Sequence, residues 1–188
     1  MLTREKVLKF VNQSITNRNL VRHLLAVEAA MKALARRFSG DEAEWGLLGL
    51  IHDADWELTE PTPSTHTRLT LEWLSGQGVS EGPFVDAIKA HNRRLTNLGE
   101  PNSTMAWALD CVDELTGFIV AVALVRPDKK LATVALDSIK KKWKTKEFAR
   151  AVDRAEIEKC QEKLGLGLDE FIETTLKAMQ SIAGELGL

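Results

Sequence analysis

The spacing of its apolar residues is the feature that most constrains what this chain can fold into. Apolar side chains recur every three or four residues through most of the sequence, and no alternation of apolar and polar residues persists as a β-strand would require. A clear example is the stripe formed by Leu20, Leu24, Val27, Met31, Leu34 and Phe38. A stripe with this period covers one face of a helix and is buried against its neighbours. The sequence therefore predicts an all-α fold.

Residues that favour helix starts and stops set the predicted boundaries. Thr3 is suited to cap a first helix, and Asp41 is suited to cap a third. The second helix is predicted to begin at Asn17 or Asn19 and to end at Phe38. The remaining helices are predicted at about 42–52, 64–75, 80–91, 102–125, 128–144, 150–164 and 168–186, with loops that include 53–63 and 93–101.

Length and composition are those of one globular unit. A chain of 188 residues can bury one sizeable core and is marginal for two, and its 44% hydrophobic and 28% charged residues are ordinary for a soluble domain. We predict a single-domain helical bundle over residues 1–188. Its metal-site core is predicted at about 15–125 and a C-terminal helical layer at about 126–188.

The bulk properties of the chain also bear on its partners and location. A formal net charge of −2 gives no reason to expect nucleic acid or an anionic membrane as a partner. The longest apolar run, Phe118 to Val125, is too short to span a bilayer, and the first residues form no apolar signal region. Cys111 and Cys160 lack metal-ligand spacing and are expected to be buried, reduced thiols. These features predict a cytoplasmic protein and leave its oligomeric state open.

An adjacent histidine and aspartate, His52 and Asp53, follow the apolar segment 47–51. Ionisable groups at the end of a buried helix lose solvation, and a divalent metal would satisfy both of them at once. The chain has four histidines, His23, His52, His66 and His91, and each is in register with apolar residues of a different predicted helix. A single inward-facing histidine is more often a hydrogen-bonded core residue than a ligand. Four of them would need four separate partners, and a shared metal centre removes that requirement.

The order of these residues resembles a known family. A histidine on one helix (His23), a His-Asp pair that ends another (His52-Asp53) and an aspartate on a later helix (Asp113) are similar to the HD-domain superfamily of metal-dependent phosphohydrolases. The resemblance covers roughly residues 23–113 and implies a helical bundle of the HD-domain type. The segment Val112-Asp113-Glu114-Leu115 resembles the family's Ala-Asp-x-Leu motif, which favours Asp113 as the ligand. Asp110, one turn earlier, is the alternative ligand or a supporting carboxylate.

The resemblance also implies a set of ligands. His23, His52, Asp53 and Asp113 would bind a first ion, and His66 and His91 would hold a second, with Asp53 bridging the two. The cofactor is then one or two divalent ions of Mn, Fe, Mg, Co or Zn. The sequence departs from the family pattern in having Ala54-Asp55 where Ile-Gly is common, and in having Trp56 where the nucleotidase-like branch places a glutamate.

The activity implied is hydrolysis of a phosphoester of a small metabolite or nucleotide by metal-activated water, whose pKa falls to about 7 on such an ion. We predict catalytic roles for Asp53, Asp55 and Asp110, with Asp55, Glu57 or Asp110 orienting the water or protonating the leaving group. For Asp55 and Glu57, a solvated acidic loop is the equal alternative. Arg93 and Arg94 follow His91 and could bind the substrate phosphate, or they could be plain surface residues.

Two alternative functions remain open from the sequence. Some HD proteins with four histidines and two aspartates are non-haem di-iron oxygenases, and the histidine count of this chain fits that activity. A non-catalytic module that keeps the site for a structural metal is the third hypothesis. Metal content, oxygen uptake and the effect of chelation on stability would separate the three.

Overall fold

The computed structural model describes residues 2–188, which are all-helical and contain no β-strand. This confirms the predicted all-α class. Short 3₁₀ turns lie at Pro63–Thr65 and Leu131–Thr133. The α-helices are α1 (Arg4–Ser14), α2 (Arg18–Arg37), α3 (Glu42–Ile51), α4 (Trp56–Thr59), α5 (Arg68–Gly76), α6 (Pro83–Ala90), α7 (Arg93–Thr96), α8 (Thr104–Leu124), α9 (Leu136–Trp143), α10 (Arg154–Glu158), α11 (Cys160–Leu164), α12 (Leu168–Ser181) and α13 (Ala183–Leu186).

The two longest helices, α2 and α8, organise the packing. α2 lies against α3, α8 and α12, and α8 also contacts α6, α10 and α11. The apolar stripe of α2 faces inward, with Leu24, Val27 and Leu34 fully buried, as its three-four spacing predicts. One continuous core joins these helices to Phe171 on α12. The result places the first half of α2 beside the middle of α8, where His23 meets Asp113 and Thr116.

The capping predictions for the first helices agree with the structure. The Thr3 hydroxyl accepts from the backbone N–H of Lys6, and the Asp41 carboxylate accepts from two backbone N–H groups at the start of α3. Of the two candidates for α2, Asn17 is the cap and its side chain accepts from Asn19 N. These side chains satisfy N–H groups that the helices leave free.

Several later boundaries differ from the prediction. Helix α9 begins at Leu136 and not at Asp128, because the Asp128 carboxylate closes a local turn by accepting from Thr133 Oγ1 and Lys130 N. The helix predicted from about 150 begins at Arg154, where Asp153 caps it. The helices predicted from about 64 and 80 begin at Arg68 and Pro83, and α12 ends at Ser181 before the short α13. The two predicted loops contain the one-turn helices α4 and α7.

Gly49 sets how closely α3 approaches α2. A Cβ atom added there would lie 2.8 Å from the Val27 carbonyl oxygen and 2.9 Å from the Glu28 backbone nitrogen, which are not flexible groups. Only glycine permits this crossing. Since His52 follows three residues later, the crossing brings the end of α3 next to His23 on α2.

Within residues 2–188, no helix has both the length and the apolar character that crossing a bilayer requires. All but the last residue of the apolar run Phe118 to Val125 lies in α8, and Phe118, Ile119, Val122 and Ala123 of this run are buried in the core. Cys111 on α8 and Cys160 on α11 are buried free thiols, as expected from their surroundings in the sequence.

Candidate metal centre

The four histidine rings lie next to one another in the structure. Ring centroids are 5.4 Å apart for His23 and His52, 4.8 Å for His52 and His91, and 5.5 Å for His66 and His91. These residues are far apart in the chain, so the fold alone brings them together. The structure therefore assembles all four predicted histidine ligands in one place.

Two overlapping groups within this cluster could each hold a metal ion. In the first, one ligand atom each from His23, His52 and Asp113 lies within 4.8 Å of the others. Asp113 Oδ1 is 2.9 Å from His23 Nε2 and 3.4 Å from His52 Nε2. The second group, with the same span, consists of His52, Asp53 and His91.

Asp53 lies between the two groups. Its Oδ1 atom is 2.9 Å from His91 Nε2 and 3.0 Å from His66 Nε2, and its Oδ2 atom is 3.8 Å from His52 Nε2. One carboxylate thus reaches three of the four imidazoles. This is the position that a bridging ligand would need.

Helix ends, rather than helix faces, present three of the histidines. His23 and Asp113 lie within α2 and α8, but His52 and His91 are the residues at which α3 and α6 end. The position of His66 differs most from the prediction, which placed this residue within a helix over about 64–75. His66 instead follows a 3₁₀ turn and precedes α5, and it is fully buried. The 3₁₀ turn and α4 enclose His66, and the Trp56 ring lies 5.0 Å from its imidazole.

Neighbouring groups hold two of the imidazoles in one tautomer. His52 Nδ1 is 2.8 Å from the Gly49 carbonyl oxygen, which can only accept, so Nδ1 carries the proton. The Thr116 hydroxyl donates to the Asp113 carbonyl oxygen at 2.8 Å and therefore accepts from His23 Nδ1 at 3.3 Å. In both rings the Nε2 lone pair then faces the centre. Metal-binding histidines are commonly held in this way.

Asp55 does the same for His66. Its Oδ1 atom is 2.9 Å from His66 Nδ1 and accepts from the backbone N–H of Thr67, and its Oδ2 atom accepts from Thr70 N. The carboxylate is fully buried, so it is not part of a solvated acidic loop. These contacts favour a positioning role for Asp55 over the water-orienting role that the sequence predicted.

Buried nitrogen atoms without a hydrogen-bond partner test whether a metal fits. His52 Nε2 and His66 Nε2 are both buried and form no well-aligned hydrogen bond, although carboxylate oxygens lie 3.4 Å and 3.0 Å from them, and both atoms belong to the ligand cluster. Unsatisfied buried polar atoms are rare in proteins, because each costs free energy. Imidazole and carboxylate together suit Mn, Fe, Co or Zn. The donor set and the unpartnered atoms therefore fit a divalent ion.

The electrostatics of the cluster keep its carboxylates ionised. Burial alone would raise the pKa of Asp113, but close contacts with His23 and His52, and the charge that these imidazoles carry when protonated, hold it well below its usual range. The pKa of Asp53 is also held well below its usual range, since the charge of His52 and contacts with the other imidazoles outweigh burial. Burial lowers the pKa of His91. For His66, burial is outweighed by the close contacts of its two ring nitrogens with the Asp53 and Asp55 carboxylates, which raise its pKa to about 9.

Asp110, the alternative ligand, has other partners. Arg93 Nη1 donates a short hydrogen bond to its carboxylate, and Asp110 belongs to neither candidate metal group. Burial raises the pKa of Asp110 to about 7, against the charge of Arg93. The structure brings Asp113, and not Asp110, to His23 and His52.

The two arginines predicted to bind phosphate are already paired with carboxylates. Arg93 contacts Glu100, Asp110 and Glu156, and Arg94 contacts Asp153 and Glu156. They line a small cavity of about 100 Å³ that also includes His91 and Asp113, so they lie close to the centre. Their positive charge is nevertheless neutralised by acidic residues.

Glu57 also has a local role. Its carboxylate accepts from the backbone N–H groups of Thr16 and Asn17 and from the Thr16 hydroxyl, so it holds the start of α2. The water-orienting alternative for Glu57 has no support in these contacts.

Sequence reasoning missed the residues that support the ligands. Thr116 could have been found, because it lies one turn after Asp113 on the same helix and faces the same region. The role of Gly49 depends on the crossing of α2 and α3, and Glu156 reaches Arg93 from 63 residues away. Neither leaves a local pattern in the sequence.

Comparisons of the chain with protein-family models, with curated proteins and with solved structures give no match. The observation that bears on function is the geometry of the cluster, in which buried and partly buried histidine and aspartate groups are placed to hold a metal ion.

Proposed function

We propose that this protein is a metal-dependent phosphohydrolase that cleaves a phosphoester of a small metabolite or nucleotide. The observation that carries the proposal is the convergence of four imidazoles and two carboxylates, with Nε2 atoms facing one centre. The order of the ligands in the chain resembles the HD-domain superfamily and supports the same activity.

In this proposal the cluster would hold two ions. His23, His52 and Asp113 would hold the first, His66 and His91 would hold the second, and Asp53 would be shared between them. When bound, such ions supply Lewis-acid activation of water and of a phosphoryl oxygen. Thr116, the Gly49 carbonyl and Asp55 keep the imidazoles in the tautomer that binding requires.

Asp110 is the proposed proton donor to the leaving group. It lines the same small polar cavity as Asp113, and burial raises its pKa to about 7, so the protonated and ionised forms are both populated near neutral pH. Arg93 holds its carboxyl group in place. Proton transfer from Asp110 to the departing oxygen would leave a carboxylate that the same guanidinium stabilises.

The test combines metal analysis with a substrate panel. Protein purified without added metal is expected to contain up to two transition-metal ions per chain and to release phosphate from at least one phosphoester with Mn²⁺, Mg²⁺, Co²⁺ or Fe²⁺. Asp53→Asn keeps the side-chain shape but removes the charge, and it is expected to lose most of the bound metal and the turnover. Asp128→Asn, at an exposed turn, is the control. Absence of turnover across the whole panel in metal-loaded protein would contradict the proposal.

A non-haem di-iron oxygenase is the second candidate, and the nitrogen-rich ligand set favours it. Imidazole is a good ligand for iron, and four imidazoles surround the two overlapping groups. A hydrolase site with a single ion would need fewer nitrogen ligands. The oxygenase hypothesis predicts that protein prepared without oxygen contains more iron than protein prepared in air and has a different absorption spectrum. It also predicts oxygen uptake that depends on substrate. Loss of thermal stability on chelation without turnover or oxygen uptake would instead support a structural metal module.

A further inference from the structure

A second cavity, of about 400 Å³, shares the His23 side chain with the candidate metal centre. It lies between the first half of α2, the second half of α8 and the segment 186–188. Apart from His23, most of its lining is apolar, contributed by Ala26, Val120, Leu124, Leu186 and Leu188. Nothing in the proposed chemistry uses this cavity.

The cavity lies along α8, next to the metal centre and toward the end of the helix. Gly117 lies one turn after Asp113, so the two residues share a helix face. Gly117 is exposed, and a Cβ atom added there would meet no atom within 4 Å. The polar cavity that includes Asp113 and His91 lies toward the start of α8, and the apolar one lies toward its end. The metal centre is thus flanked by a polar and an apolar recess.

A cationic side chain lines the apolar recess. Arg22 lines it, and its side chain hydrogen-bonds to Asn19 Oδ1 at 3.5 Å, a neutral acceptor. Within residues 2–188, no carboxylate forms an ion pair with Arg22, whereas Arg93 and Arg94 are each paired with at least two. A guanidinium that forms no ion pair, beside an apolar wall, favours ligands that are both anionic and apolar.

We propose that the cavity between His23, Gly117 and Leu186 binds the apolar group of the substrate, so that the substrate is an alkyl or aryl phosphate rather than a strongly polar one. The inference rests on the proposed function, because it takes the phosphate group to lie at the metal centre. In the reaction, water adds to phosphorus, the bond from phosphorus to the ester oxygen breaks, and the alcohol leaves with a proton and the apolar group.

Binding of non-hydrolysable analogues tests this without relying on turnover. Ethyl-, butyl- and hexylphosphonate are titrated calorimetrically into the protein, with Mn²⁺ and without added metal. Burial of each methylene is expected to tighten binding about threefold to fourfold. Hexylamine, with the same chain and the opposite charge, is expected to bind at least tenfold more weakly than hexylphosphonate. Equal affinity for the two would overturn the assignment of an anionic ligand.

Gly117→Leu is the variant that fills the cavity. It adds an apolar side chain at an exposed helical position where there is room, so the fold is expected to persist. The affinity for ethylphosphonate should change less than twofold, and the gain from ethyl to hexyl should disappear. Gly76→Leu adds the same side chain at the end of α5, where a Cβ atom also meets nothing within 4 Å, and should bind like the native protein.

The outcomes separate this inference from the proposed function. Affinity that does not increase with chain length in the native protein, in both metal conditions, would overturn the inference even if phosphoesters are hydrolysed. A chain-length dependence that persists in Gly117→Leu would also overturn it. A dependence of affinity on chain length that disappears in this variant would support the cavity as a binding site. If the matching alkyl phosphates are then not hydrolysed, that result would count only against the proposed hydrolase function.

Discussion

Thr116 and Asp113 show how much of the centre depends on single polar atoms. The Thr116 hydroxyl has one proton, which it gives to the Asp113 carbonyl oxygen, and it therefore faces His23 Nδ1 as an acceptor. Asp113 contributes its carboxylate to the same imidazole from the other side of the ring. The orientation of His23 is thus set by two residues of one helix.

We predict that Thr116→Val weakens metal binding about tenfold to a hundredfold, because His23 loses the group that fixes its tautomer. The change keeps the side-chain shape. Thr175→Val is the matched control, since Thr175 is also fully buried and also donates to a carbonyl oxygen one turn back, but lies on α12. Competition titrations with a chelating dye measure both affinities, and equal losses in the two variants would contradict the prediction.

The pair Asp110 and Asp113 gives a second prediction at this scale. Asp113→Asn should lose bound metal, because its carboxylate is the one nearest to both His23 and His52. Asp110→Asn should retain the metal and lower kcat, since it removes the proposed proton donor without touching a ligand. Metal analysis and steady-state kinetics of both variants decide the matter. Loss of metal in Asp110→Asn would show that the two roles are reversed.

At the level of secondary structure, the crossing of α2 and α3 determines where His52 lies. The two helices touch through the backbone at Gly49, and the Gly49 carbonyl also accepts the His52 Nδ1 proton. Helix packing and ligand orientation therefore depend on the same residue.

We expect Gly49→Ala to destabilise the fold by about 2 kcal/mol, because the new methyl group must displace the backbone of α2. It should also weaken metal binding by moving His52. Gly117→Ala is the comparison, as it lies in a helix with open space and should stabilise the protein by up to about 1 kcal/mol through helix propensity. Chemical denaturation measures both changes. An unchanged free energy of unfolding in Gly49→Ala would mean that α2 and α3 can move apart without loss of stability.

For the whole molecule, the cluster links stability to pH. The pKa values of His52 and His66 are raised in the folded protein by the neighbouring carboxylates, against burial, to about 9 in the case of His66. A raised pKa means that protonation stabilises the fold, fully so below the ordinary value of 6.5, and that this contribution is lost as the pH rises toward 9. The pKa of His91 is lowered, so this residue changes the stability of the fold only below about pH 6.5 and not between pH 6.5 and 9.

Metal-free protein should accordingly become less stable by about 2 kcal/mol between about pH 7.5 and 9. Metal ions compete with these protons for the imidazoles, so the stabilisation by added Mn²⁺ should increase over the same range. Thermal melts with a chelator and with Mn²⁺ measure the two trends. Parallel curves with and without metal would contradict the assignment of the histidines as ligands.

The sequence determined the helical class, the first caps and the identity of the ligand candidates, because these depend on residue spacing and on side-chain chemistry. Leu24 and Val27 face the core since a helix repeats every 3.6 residues, whatever the helix packs against. Only the tertiary structure decided which groups meet. His66 is enclosed, Asp55 supports it, and Arg93 pairs with Glu156 because helices distant in the chain pack together there, and backbone contacts such as that at Gly49 set their approach.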